Sequence, residues 1–381
     1  MHPFCATPAL FTLLACGTTA PGDDGDAASG AANATSLDGE EQPPVGLPGM
    51  ERVDHLIQEG ETHFAGLWKL TAGGENAEAY LSYAGDRLVL QRRHESEGIE
   101  CDRIYVTDAE RGLVPVSNGR GVTTCSYFLP GDREVVYAST HGAHETCPDK
   151  PFYPGYVWYL HPEYELWVND LETGHARKIT DRWGYDAEAT VSPLGDRMVF
   201  TSLRTGDVEL FTCDLDGGNV VQVTDELGYD GGAFFSHDGS KLVFRSTAFP
   251  EGEEGEAQRG EYRMLLERGM VKPSAMELRV CDVDGTNRRT VTNLGDANWA
   301  PYFFPTDDRI VFSTNHHREN KRIFDLFAID EDGGNLERIT TYEGFDSFPY
   351  FTRDGRWLVF SSNRGGSVEG ETNVFIARWQ N

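Results

Sequence analysis

The residues in this sequence that could do chemistry fall into two kinds of place. His141, His144 and Cys147 follow one another at intervals of three, and His316 and His317 are adjacent. Imidazole, thiolate and neighbouring carboxylates are ligands for a divalent cation, although solvated loop histidines leave the same trace. The carboxylates instead recur in a motif, Tyr185-Asp186-Ala187-Glu188-Ala189 and again Tyr229-Asp230-Gly231-Gly232-Ala233. Carboxylates gathered at one place raise one another's pKa or recruit a cation. No Gly-x-Ser-x-Gly nucleophile elbow occurs in the 381 residues, so serine acyl transfer has no visible seat.

The elements that must position these residues are short strands in a repeating cadence. Second strands read RMVFTS (197–202), KLVFRS (241–246), RIVFST (309–314) and WLVFSS (357–362), with weaker copies at 87–92 and 134–139. Third strands read RIYVTD (103–108), ELWVND (165–170), ELFTCD (209–214), ELRVCD (277–282), DLFAID (325–330) and NVFIAR (373–378). Fourth strands end in Ile179-Thr180, Val223-Thr224, Val291-Thr292 and Ile339-Thr340. The runs are β-rich and largely apolar, so both faces must be buried. A four-stranded unit of this size cannot cover itself, and units of this kind close into a ring. The expected fold is therefore all-β, a six-bladed propeller over residues 50–381. The last unit stops after its third strand. Leu67-Trp68-Lys69-Leu70-Thr71 carries the missing fourth-strand ending, so the N-terminal strand is expected to complete blade six and hide two sheet edges. Residues 50–63 read as a short helix leading in.

Sixty-two acidic residues against 33 basic ones give a formal net charge of −29. Such a surface repels nucleic acid and anionic lipid, so membrane contact would need an anchor. Residues 8–15 form a short apolar run, and Leu13-Leu14-Ala15-Cys16 resembles a bacterial lipobox. No Lys or Arg precedes it. Residues 1–16 are read as a lipoprotein-type signal with Cys16 as the lipidation site. Residues 17–49, poor in large apolar residues, are read as a disordered tether. An exported, lipid-anchored monomer in the periplasm or at the cell surface is expected.

The recurring pattern of acid, aromatic, turn, apolar strand ending in Ser, Asp-Gly-Gly and Leu-Thr resembles the TolB-like, WD40-like (PD40) propeller repeats. The resemblance covers residues 64–381. GGENAEAY (73–80), GYDAEAT (184–190), GYDGGAFF (228–235) and ETNVFIA (371–377) further resemble exported bacterial propellers of this kind. It implies a binding scaffold with a protein partner. A related class, the oligogalacturonate lyases, implies the alternative: a metal-dependent polysaccharide lyase or hydrolase. A purely structural role is a third reading.

In such a ring the first strand of each blade lines the channel. Aligning the repeats puts Asn76, Thr123, Asp186, Asp230, Asn298 and Asp346 at its start, with Glu78, Cys125, Glu188, Gly232, Ala300 and Phe348 two residues further in. The first set is expected at the channel mouth with Glu78 and Glu188, as ligand contacts. Arg204, Arg245 and Arg364 are likewise expected as ligand contacts, although the resemblance also allows the Asp residues to cap strands and pair with them. Insertions at 141–163 and 248–274 open on the same face, and the first is dense in aromatics, including Tyr153, Tyr156 and Trp158 beside His141. Loops on a rigid scaffold are where binding resides. A protein, peptide or glycan ligand is expected here. No cofactor is expected beyond a divalent cation, for which His141, His144, His316 and His317 are candidates. Cys101, Cys125 and Cys147 map near this face and any two could pair, Cys101 with Cys147 being preferred; Cys213 and Cys281 read as buried thiols.

Overall fold

A computed structural model describes residues 41–381. Each repeat folds into a four-stranded antiparallel sheet, and six sheets form a β-propeller. Blade one is built from Glu75–Leu81, Leu88–His94, Ile99–Asp108 and Gly112–Pro115. The inner strands of the next five are Thr123–Phe128, Asp186–Val191, Asp230–Phe235, Asn298–Phe303 and Asp346–Phe351. Second strands such as Met198–Ser202 and Trp357–Ser362 are buried at every position, as strands sandwiched between neighbouring blades must be.

Closure occurs where the sequence places it. Phe64–Lys69 pairs antiparallel with Asn373–Trp379, with Leu67 opposite Ala377 and Lys69 opposite Phe375. One hydrogen bond identifies the fourth strand of every blade. A hydroxyl at its end accepts the backbone N–H of the third strand: Ser117 from Ile104, Thr180 from Leu166, Thr224 from Leu210, Thr292 from Leu278 and Thr340 from Leu326. In blade six the same bond, Val374 N–H to the Thr71 hydroxyl at 2.9 Å, comes from the other end of the chain.

The lead-in differs from expectation. Instead of a helix over 50–63, Glu51–Arg52 adds a fifth strand beside Phe64–Lys69, and a single 3-10 turn follows at Asp54–Leu56. Two side-chain bonds compete with the helix: the Asp54 carboxylate accepts the Leu67 N–H at 2.9 Å, and Glu61 is drawn into a buried ion pair with Arg364 at 3.0 Å. The packed unit begins at Pro43, and Val45, inside the expected tether, is fully buried. The signal, Cys16 and residues 17–40 of the tether lie outside the described residues. No helix among the described residues is long and apolar enough to cross a membrane.

Candidate functional site

The six residues that begin the inner strands are all buried, and their polar atoms serve the fold. They follow a rule. Asp186 meets Arg204 eighteen residues later at 3.2 Å, and Asp346 meets Arg364 at the same interval at 2.8 Å. The same interval joins Asn76 to His94, Thr123 to His141 and Asn298 to His316. An acid is matched with arginine, a neutral residue with histidine. Burial pushes His141 down to about 4 and lowers His316. Their ring nitrogens lie 2.8 Å from the Ser139 hydroxyl and 3.2 Å from the Thr314 hydroxyl. Blade four breaks the rule: Ala248 stands eighteen residues after Asp230. Burial raises Asp230 to about 6, even with the Ser246 hydroxyl bonded to it, and among the described residues it has no ion-pair partner and its Oδ2 no hydrogen-bond partner.

The expected ring of acidic and amide groups is therefore buried: two of its acids are latched by arginine, and Asn76, Thr123 and Asn298 bond to groups of the preceding blade. The reason is packing: each of these residues abuts the third strand of the preceding blade, as when Asn298 Nδ2 donates to Glu277 Oε2 at 3.2 Å.

The chain reaches the axis two residues further on. Glu78, Cys125, Glu188, Gly232, Ala300 and Phe348 all have φ between 46° and 59°, and five of them are not glycine. Each sits at a bulge where the inner strand carries one extra residue; in blade one, 78 and 79 lie between the pairs Ala77–Gln91 and Tyr80–Val89, and in blade two Cys125 alone lies between Thr124–Ala138 and Ser126–Tyr137. Left-handed backbone at a non-glycine residue costs about 1–2 kcal/mol. Its repetition around the ring marks a constraint of the fold, and five of these residues carry a side chain there.

Below this ring the channel is shut. The position four residues past Asn76 and its equivalents is Tyr80, Tyr127, Phe234, Tyr302 or Tyr350 in five blades, and all five are buried. Tyr80 of blade one touches Phe234 of blade four across the axis, with ring centroids 5.3 Å apart. Tyr302 and Tyr350 lie at 4.4 Å, and the Tyr127 and Tyr350 hydroxyls are 2.9 Å apart. The result is a blind cup of about 630 Å³, floored by Tyr80 and Phe234 and walled by Glu78, Cys125, Glu188 and Phe348.

A strap crosses above the cup. It leaves blade two at His141, and Cys147 is disulfide-bonded to Cys101 of blade one, Cα–Cα 6.1 Å. Trp158–Tyr159 then pairs antiparallel with Met270–Val271 of the insertion in blade four. In that insertion a helix runs over Gly252–Leu266, after which the chain turns at Gly269, φ +68°, and emerges as the short strand. Val157 packs with Leu265 and Met270 beneath it. Trp158 lies 5.4 Å from Trp299 of blade five and 4.7 Å over the Arg245 guanidinium of blade four. A blade-two residue thus reaches the far side of the ring. Among the lining residues Glu75, Glu100, Lys150 and Tyr156 are exposed, so the cup opens beside blade one.

Arg245 departs from the pairing expected for it. It precedes Ser246, whereas Arg204 and Arg364 stand two places after their serines, so it faces the axis and pairs with Glu188 of blade three. Glu188 also accepts Thr201 at 2.8 Å, Tyr229 at 2.5 Å and the Gly232 N–H at 3.0 Å. A Cβ on Gly232 would collide with the Arg245 guanidinium, which accounts for the Gly-Gly pair in blade four alone.

Of the sequence-predicted contacts, the structure brings Glu78, Glu188, Arg245, Tyr156 and Trp158 together at the cup. Asp186 with Arg204 and Asp346 with Arg364 form the two latches, Asn76, Thr123, Asp230 and Asn298 are buried at the equivalent positions, and Tyr153 packs beside the Val157 cluster. The four histidines are not gathered. His141 packs against Trp167 with ring centroids 4.0 Å apart, and His144 lies 3.7 Å from Glu163, both on blade two. His316 and His317 are on blade five, His317 bonded to buried Asp325 at 2.7 Å. Cys213 and Cys281 are buried thiols, and Cys125 is a free thiol in the cup wall. The aromatic plug and Asp102 were missed, although five aromatics at one repeat position were a readable sign.

No family model matches the chain. An uncharacterised Agrobacterium fabrum protein is 38% identical over 48 residues, 13% of this chain and 16% of that protein. The Tol-Pal system protein TolB of Francisella tularensis is 28% identical over 100 residues, 26% of this chain and 22% of that one. The matched segments thus span less than a quarter of these curated relatives. A gluconolactonase structure from Xanthomonas campestris superposes with a TM-score of 0.52 at 12% identity, covering 85% of this chain and 94% of that one; at that identity the likeness concerns the fold.

Proposed function

For a chain with the repeats and blades of the TolB-like propellers, we propose a non-enzymatic binding function at the bacterial envelope, with the ligand held in the strap-roofed cup. One observation carries the reading: a channel closed below by its own aromatic side chains is a receptacle rather than a conduit, and its size is that of a ligand site. Rigid blades position its walls, and the strap that roofs it is tied to blade one by a disulfide and to the insertion of blade four by a strand pair. The partial sequence likeness to TolB, a Tol-Pal system protein, favours a protein partner. The lipobox at Cys16 favours export and a lipid tether in the periplasm or at the cell surface.

The experiment is exchange of residues 141–163 for a short turn, together with Cys101→Ser. Capture of partner from envelope extract by the immobilised protein is expected to be lost, with blade unfolding preserved. Capture undiminished by the exchange would refute the reading.

A further inference from the structure

The chemistry of the cup points beyond binding in general to one class of ligand, and this step rests on the cup being the binding site. The wall carries more carboxylate than its arginines neutralise. Glu188 is held by Arg245, and Glu75 at the rim is held by Arg93. Glu78 and Asp102 also face the cup, and neither forms an ion pair among the described residues. Glu78 has only the Cys125 thiol as a hydrogen-bonding neighbour, and burial lifts it to about 7, with the nearby Glu188 carboxylate adding to the rise. Asp102 is raised by burial as well, despite Arg93 and Lys150 in the vicinity. Two acids kept in a pocket without an ion-pair partner are costly unless a guest supplies one.

The surrounding walls suit a cation too. Tyr80, Tyr164 and Tyr185 line the same cavity, and the phenol of Tyr164 senses both Glu78 and Asp102. Aromatic rings beside carboxylates attract an organic cation through ring quadrupole and charge together. Other guests fit less well. An anion meets unpaired carboxylates. A neutral sugar would need open indole faces, yet one face of Trp158 is covered by Arg245 at 4.7 Å and Trp299 stacks on Phe324 at 4.4 Å. A metal ion lacks a third ligand, since no group of three or more His, Cys, Asp or Glu suited to one occurs among the described residues.

We propose that the cup receives an aliphatic ammonium group, with Glu78 and Asp102 as its counter-charges and Tyr164 beside it. A lysine side chain, a peptide N-terminus and an amino sugar all carry that group.

The test is a titration of the intact protein at pH 8, followed by tryptophan fluorescence. The probes are Nα-acetyl-lysine methylamide, glycinamide and glucosamine, each against its N-acetylated, neutral counterpart. At least one ammonium probe should bind about tenfold or more tightly than its neutral counterpart. The tightest of the three identifies the source of the group. E78Q and D102N, each with an unfolding midpoint no lower than the parent's, should weaken that probe about fivefold or more. Equal affinity for charged and acetylated probes, or full affinity in both variants, would overturn the proposal. Capture lost on strap exchange alongside such a negative result would leave the binding function standing and remove only the ammonium. Capture that survives strap exchange would remove the binding function itself.

Discussion

Arg364 lies 2.8 Å from Asp346, eighteen residues before it in the chain, and neither side chain is exposed to solvent. The guanidinium also holds Glu61 through two bonds of 3.0 Å, so one arginine ties the sixth blade to the N-terminal lead-in. Replacing it with methionine would bury two carboxylates without a cation, at a cost of about 3–5 kcal/mol. Arg204→Met leaves a single such carboxylate, Asp186, and should cost less. Denaturant unfolding of the two variants checks the order.

The blade without this arginine gives the opposite prediction. The carboxyl of Asp230, raised from 3.8 to about 6, holds its proton longer in the folded state than in the unfolded one. Its ionisation therefore removes stability as pH rises from about 4 to about 6, and the loss persists above that. Asp230→Asn should stabilise the protein at pH 7.5 by roughly 2–3 kcal/mol, and should be nearly neutral at pH 4. Glu209, itself pushed by burial to about 8, has an Oε2 without a partner, and the new amide could donate to it as Asn298 does to Glu277. Unfolding midpoints of parent and variant across that pH range measure the difference.

Much of this architecture was legible in the sequence. Six third strands, Asp-Gly turns and the stray Leu-Thr at 70–71 fix the ring and its closure, because they are local signals repeated many times. The site was legible only in part. Alternation puts 76, 78 and 80 on one face of a regular strand, but the bulge at 78 breaks that parity, so Asn76 is buried while Glu78 and Tyr80 reach the axis. The matching of Asp with Arg and of Asn or Thr with His was also present in the sequence. It becomes visible only when the blades are aligned at an interval of eighteen. His141 and His316 occupy the positions that Arg204 and Arg364 hold in other blades, an equivalence that their spacing from His144 and His317 does not reveal.

Gly232 tests whether Arg245 is wedged as described. Alanine is accommodated at the same position in blade five, as Ala300, with φ 48°. In blade four the added methyl would displace the guanidinium from Glu188 and from beneath Trp158. Gly232→Ala should lower stability by about 1–3 kcal/mol and change the tryptophan emission.

The disulfide makes a separate prediction. Cys101 and Cys147 close a loop with a sequence separation of 46, for which chain entropy gives an upper bound of about 4 kcal/mol. The double serine variant should be less stable, and limited proteolysis should cut within residues 141–163 before any blade is cleaved.

The location of the binding site can be read most directly by photocrosslinking. A benzoylphenylalanine at Tyr156, 69% exposed on the strap beside the cup, should crosslink to the captured partner. The same residue at Val221, 55% exposed on the outer strand of blade three, should not. Crosslinking from position 221 with none from 156 would contradict the account.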